Sequence, residues 1–550
     1  MKKFIAIVLV LVTVLSLCAC GKPAGYTDSD KDGYLTAEGK TKLTIGLIPD
    51  AMIMDLDNNA LTNWIEEECN VELEFMPFAG GTDVPTQIAA AIAARQELPD
   101  LCLGINLGSS TLKRYGDEGY IIDLQDYFAD KEGASKIFWD RVNNELTERE
   151  RDRVISVMTD SDSTAIYALP SIETSLADKI RSMAWINQEW LDKLGLKAPT
   201  NTDELVEVLK AFKTKDPNGN GIADEIPLYG SANGFCSDVV SWLLNMFTYW
   251  DKSATHNMTE DGDFFMAYTT DGYRKGLQFV HKLYEEGLLT SLVFSPEERT
   301  ILTPTNGTAL CGIFLAHLTS CQRDNDLMYD YEPLQTWGYG VRDKLSINPC
   351  NFMTDSCAEG KRDKAFEVLM TLWSWEGSQR QRYGEYGVNW TDADEGAKSA
   401  YGLDATYKLL NDVLGTQNTV TWRTMCSFNN MAECETAQID EMQQFEKDRA
   451  MKHAQAYEQL VKAEATVPEY LIAPALPSTT EESEAVVMES TNVYDYWTKS
   501  QADFITGQNG MDIDSDASWQ AYLNKLNELG VEKLIQSYRD RYQRLYGNKG

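Results

Sequence analysis

Apolar and polar positions alternate through Lys42-Leu43-Thr44-Ile45-Gly46-Leu47-Ile48-Pro49, which predicts a strand. From Asn59 to Cys69 the period changes. Leu61, Trp64 and Ile65, with Glu66-Glu67-Glu68 beside them, give a helix with one apolar stripe. Val71 to Phe78 reads as a second strand. Asp83-Val84-Pro85 is an N-cap with proline just inside a helix, and the Ala-rich run Ile88 to Ala94 continues it. Leu98 to Leu103 follows as a third strand. Strand, helix, strand, helix, strand is the grammar of a parallel sheet covered by helices.

Upstream of this unit, Lys22 to Lys40 has no hydrophobic period and reads as a tether. Met1-Lys2-Lys3 and the apolar run Phe4 to Leu17 have the order of an export leader. That run is shorter than the ~20 residues a membrane-crossing helix needs. At 550 residues the chain exceeds one core, since cores stop growing near ~250–300 residues, so two large lobes are expected.

The net charge of −36 argues against nucleic acid as a partner, because binding it requires lysine and arginine to neutralise phosphates. It disfavours strongly anionic ligands for the same reason. Of 11 cysteines, setting aside Cys18 and Cys20 of the leader leaves an odd number without CxxC pairs. Cys350 with Cys357, or Cys426 with Cys434, are near enough in sequence to bridge, but buried thiols are the favoured expectation.

Several segments resemble a known family. Leu17-Cys18-Ala19-Cys20 resembles the lipobox of bacterial lipoproteins, with Cys20 as the acylated residue. Arg95-Gln96-Glu97-Leu98-Pro99-Asp100-Leu101, Ile166-Tyr167-Ala168-Leu169-Pro170, Ala184 to Leu191 with Leu194 to Thr200, Tyr383 to Trp390, and Phe504-Ile505-Thr506-Gly507 with Trp519, Tyr522 and Leu523 resemble passages of the family 1 extracellular solute-binding proteins, in order and across the mature chain. Arg95-Gln96-Glu97 departs from the small residues usual there. The resemblance implies an α/β, two-lobed periplasmic-binding-protein-like fold with an interlobe hinge and ligand cleft. It places lobe one at 41–165 with a return near 308–348, and lobe two at 166–307 and 349–550, after a leader at 1–20 and a tether at 21–40.

Asp216-Pro217-Asn218-Gly219-Asn220-Gly221-Ile222-Ala223-Asp224-Glu225 sets oxygen-bearing residues at positions 1, 3, 5 and 9 with glycine at 6, a calcium-loop spacing. Position 12 is Pro227, and the closing carboxylate, Glu225, stands at 10. The expected donors to a structural Ca²⁺ are Asp216, Asn218, Asn220, the Ile222 carbonyl, Asp224 and Glu225; the resembling family binds calcium in such a loop. Asp28, Asp30, Asp32 and Gly33 begin a similar pattern in the tether, and Asp512, Asp514 and Asp516 precede a helix that they suit as caps. His256, His281, His317 and His453 lack metal spacing, and no GxSxG nucleophile elbow occurs. With 85 acidic residues, carboxylate pairs at a glycosidase spacing carry no information.

The chain is therefore expected to be a binding protein, not an enzyme: a lipid-anchored lipoprotein at the outer face of the cell membrane. It would act as a monomer, capturing a neutral oligosaccharide and delivering it to ABC permease subunits. A secreted glycosidase and a sugar-sensing lipoprotein are the rival readings. Sugar rings stack on aromatic faces, and on the resemblance Tyr167, Trp185, Trp250, Tyr386 and Trp390 are candidates, with Asp55, Asn106 and Asn351 as polar partners. Each suits a core equally well. Trp373 and Trp375 are assigned to core.

Overall fold

A computed structural model describes the chain from residue 34 to 547, apart from 80–82, 160–162, 174–182, 232–236, 253–254, 295–308, 317–324, 335–336, 340–345, 412, 414–415, 423–433, 440–443, 465–466 and 475. Cys20, the leader and the Asp28–Asp32 pattern lie outside the described residues.

In chain order the strands are β1 (Thr41–Gly46), β2 (Val71–Phe75), β3 (Leu101–Cys102), β4 (Leu169–Glu173), β5 (Ala184–Asn187), β6 (Ile226–Tyr229), β7 (His256–Met258), β8 (Phe264–Met266), β9 (Cys311–Leu315), β10 (Tyr331–Pro333), β11 (Ser346–Met353), β12 (Trp390–Asp392) and β13 (Tyr407–Leu409). One sheet has the order β2-β1-β3-β11-β4, a second the order β10-β5-β9-β6. β1 pairs in parallel with β2 and β3, as the alternating pattern predicts. Leu43 and Ile45 point into a core with Phe138, Phe366 and Trp373. The second sheet packs Trp185, Leu228 and Ile313 against Val280, Trp497 and Phe504 in a separate core. Asn59 caps the helix Ala60–Glu68 by accepting the Leu61 N–H at 3.0 Å. Proline sits at the start of the helix Val84–Ala93.

The division of the chain differs from the expected one. β9 and β10, within the return segment assigned to lobe one, belong to the second sheet. β4 and β11, assigned wholly or mostly to lobe two, complete the first. The helix Glu359–Trp373 also packs in the first core. The helices Gln444–Glu464, Thr480–Thr506, Asp516–Glu528 and Val531–Tyr546 return to the second sheet's side. Sequence spacing cannot show this, because β11 is an antiparallel insertion between β3 and β4. The tether is also shorter than expected: Leu35 bridges to Thr41, and the Lys42 N–H donates to the Tyr34 carbonyl at 2.8 Å.

Cys69, Cys102, Cys311, Cys350 and Cys357 are buried and unbridged, so the Cys350–Cys357 pairing does not form. Burial pushes the Cys69 and Cys350 thiols up to about 11 and that of Cys357 to about 12. Among the described residues, no helix is long and apolar enough to cross a membrane.

Candidate functional site

In α/β sheets, ligands bind outside the carboxyl ends of the strands. The loop leaving β3 runs through Gly104 and Gly108 into the helix Ser109–Asp117. Two predicted residues shape it through its backbone. The Asn351 Oδ1 accepts the Gly104 N–H at 3.0 Å, and the Asn106 Oδ1 accepts the Gly108 N–H at 2.8 Å. Where the helix starts, a small cavity of about 40 Å³ opens to solvent. Lobe one supplies Ser109, Ser110 and Lys113, the end of the helix Glu148–Met158, and Tyr167; lobe two supplies Pro477 and Ser478.

Tyr167 is held from two sides. Its hydroxyl donates to Asp117 Oδ1 at 3.1 Å, while Lys113 Nζ stands 3.1 Å from Asp117 Oδ2. Its ring lies against Gly116, where an added Cβ would stand 2.1 Å from a ring carbon. Helical glycine is ordinarily unfavourable; here it gives the ring its place. Burial, reinforced by the Asp117 bond and charge, pushes the Tyr167 phenol up to about 12, so it stays a neutral donor. The cavity is therefore lined by an aromatic residue, by the hydroxyl-bearing Ser109, Ser110, Ser156, Thr159 and Ser478, and by a cation already paired with a carboxylate.

Of the eight predicted ligand residues, Tyr167 alone lines this cavity. Trp185, Trp250, Trp390 and Asn351 are at most 1 % exposed, which corrects their assignment as ligand contacts. Each indole N–H is satisfied internally: Trp185 donates to the Ala316 carbonyl, Trp250 to Ser241 Oγ and Trp390 to the Gly384 carbonyl. Trp250 also packs between Tyr273 and Trp497. Tyr386 is 41 % exposed, with its hydroxyl donating to Asp392. Asp55 is exposed and accepts the Asn58 N–H at 3.0 Å. Trp373 is core as assigned, and Trp375 packs on a satellite core around Trp390 and Tyr407. The serines, Lys113 and Ser478 were not identified from sequence. Gly116 inside a helical pattern was the one local signal.

The loop before β6 has the backbone of a tight turn, with positive φ at Asp216, Gly219 and Gly221. Asp216 accepts the N–H groups of Asn220 and Gly221, both at 3.1 Å. The Asn218 and Asn220 amides each donate to Asp224 Oδ1 at 3.1 Å. Among the described residues, no three His, Cys, Asp or Glu side chains converge as a metal centre. Glu225 Oε1 is buried without a hydrogen-bond partner. Burial first, then the Asp216 and Asp224 charges, holds its carboxyl above the ordinary range. An all-oxygen donor set with an orphaned carboxylate oxygen fits a hard cation such as Ca²⁺. The loop Asp512–Asp516 is a capping structure, with Asp512 Oδ1 accepting the Asp514 and Ser515 N–H groups.

The chain is 24% identical over 546 residues, 97% of its length and 96% of the relative's, to the fructooligosaccharide ABC transporter substrate-binding protein FusA of Streptococcus pneumoniae serotype 4. An extracellular solute-binding protein from Bifidobacterium longum subsp. infantis shares the fold with a TM-score of 0.73 at 21% identity, over 93% of this chain and 99% of that one. An EF-hand mutant of S. pneumoniae FusA in complex with fructo-nystose matches with a TM-score of 0.66 at 20% identity, over 92% and 100%. Both likenesses support the two-lobed α/β fold. Residues 58–297 match the family described as bacterial extracellular solute-binding protein.

Proposed function

We propose that the protein captures a neutral oligosaccharide outside the cell and delivers it to the permease of an ABC importer. The junction cavity carries this reading. A sugar ring has apolar C–H faces, which Tyr167 suits, and a rim of hydroxyls, which the serines and Thr159 suit as both donors and acceptors. Lys113 is paired with Asp117, and the chain's charge of −36 opposes an acidic polymer. FusA, similar to this chain along nearly its whole length, is named for fructooligosaccharide.

Because the cavity has walls from both lobes, a ligand seated there touches both at once. It would stabilise the closed arrangement by whatever it gains over contact with one lobe alone. Asp216, Asn218, Asn220, the Ile222 carbonyl, Asp224 and Glu225 would hold Ca²⁺, which would neutralise the loop's carboxylates and pin it to β6. A relative's structure described as an EF-hand mutant supports such a loop in this fold. Cys20 would carry the lipid that keeps the protein at the membrane, where it would act as a monomer.

Calorimetry with fructooligosaccharides, other neutral oligosaccharides and uronic-acid oligomers tests the ligand class. Saturable binding in the neutral series without product formation is expected; tight binding confined to the acidic series would refute the assignment. For the anchor, labelled palmitate should enter the wild-type chain and not Cys20→Ala.

A further inference from the structure

The lobe-two wall of the cavity is a short segment, Pro477–Ser478, leading into the helix Thr480–Thr506. Thr479 is that helix's N-cap. Its hydroxyl accepts the Glu482 N–H at 3.0 Å, and its own N–H is accepted by Glu482 Oε2 at 2.9 Å, a reciprocal capping box. The same carboxylate receives both arms of Arg544, Nε to Oε1 and Nη2 to Oε2, each at 2.8 Å. Arg544 Nη2 also donates to the carbonyl of Pro477 at 2.8 Å. One guanidinium thus joins the helix cap to a residue that lines the cavity, from the last turn of the helix Val531–Tyr546.

We propose that Arg544 is a positioning residue for ligand capture, fixing the Pro477–Ser478 wall against which the lobe-one hydroxyls and Tyr167 hold the ligand; this rests on the oligosaccharide reading given above. The fork geometry matters. A planar guanidinium engages both carboxylate oxygens and still presents an N–H to Pro477, whereas a lysine ammonium is a point charge on a flexible stem. The capping bonds themselves run directly between Thr479 and Glu482 and do not pass through Arg544. Loss of the guanidinium should therefore loosen the wall without unfolding the helix.

The test compares wild type, Arg544→Ala, Arg544→Lys and Glu482→Gln by calorimetry and stopped-flow fluorescence with the tightest oligosaccharide of the neutral panel, and by thermal melting. Glutamine can keep the capping box while losing the ionic fork. Arg544→Ala should bind about fivefold more weakly, the upper range for a partly exposed ion pair. The loss should fall in the dissociation rate, with Glu482→Gln moving the same way and Arg544→Lys recovering only part. Melting temperatures should stay within a few degrees of wild type. Unchanged affinity in Arg544→Ala while wild type binds overturns the proposal alone, as does a loss that tracks a collapse in melting temperature. A wild-type protein that binds no oligosaccharide of the panel sinks the underlying reading and the proposal with it.

Discussion

The Asp216–Glu225 loop and the junction cavity are both polar, yet their charges are arranged in opposite ways. In the loop, asparagine amides answer Asp224 and backbone N–H groups answer Asp216, while Glu225 keeps a buried oxygen unanswered and feels the charge of both. At the cavity, the lysine and the carboxylate already neutralise each other, and what remains toward the opening is an aromatic ring and hydroxyls. The first arrangement would gain by accepting a cation, as proposed above. The second has no charge to satisfy and suits a neutral, hydroxyl-rich ligand.

The largest effect that sharpens this contrast is expected from Tyr167→Ala, which removes the cavity's aromatic surface. Sugar affinity should fall about thirtyfold, the loss typical of a central aromatic contact, with the calcium response intact. Calorimetry of the variant in calcium and in chelator measures both. Gly116→Ala should come next, at about tenfold, because the new methyl meets the Tyr167 ring and the ring must shift. An unchanged affinity would show that the ring's position does not matter to binding.

Effects on the other side of the comparison are thermal and smaller. Chelation should lower the melting temperature by about 4 °C, and calcium should restore it. Asp216→Ala should abolish the response with sugar affinity nearly unchanged. A large loss of affinity on chelation would merge the two regions into one site. The smallest effect concerns pH. The Glu225 carboxyl is raised in the folded protein, so its contribution is fully present below the unfolded value and is lost as pH rises through the folded one. Calcium-free protein should therefore melt higher at pH 5 than at pH 7, and Glu225→Gln should flatten that difference. The Glu482 carboxyl acts with the opposite sign. Burial pushes it up, but the Arg544 and Thr479 bonds, with the Arg544 and Arg541 charges, carry it below its ordinary value. Its contribution is lost only as pH falls through that lower value, outside the interval compared.

How much of this was legible in the sequence follows from how far each feature reaches along the chain. The first strand–helix–strand unit was readable because its periods are local, and β1 pairs with strands from the same hundred residues. The Asp216–Glu225 loop was readable as a tight, oxygen-rich turn because its residues are contiguous. The cavity was not: it is assembled from segments as distant as Ser109 and Ser478, and nothing near a serine marks it as facing a partner hundreds of residues away. The tryptophans misled for a physical reason. A large ring that suits a sugar suits a core equally, and Trp185, Trp250 and Trp390 found internal acceptors for their N–H groups. Lobe boundaries failed where β11 inserts between β3 and β4, a nonlocal pairing that no periodicity encodes.

If Cys20 carries the lipid as proposed, the turn that ties Leu35 and Tyr34 back onto β1 would set the length of a leash. Only the residues between Cys20 and Tyr34 would then be left to span the gap, and even fully extended they would reach about 50 Å. Confinement within that radius would give a permease in the same bilayer an effective concentration of binding protein on the order of millimolar. Loaded protein would then meet the transporter by short excursions on its leash and not by free diffusion, so lengthening the segment before Tyr34 should dilute the encounter and leave sugar affinity untouched.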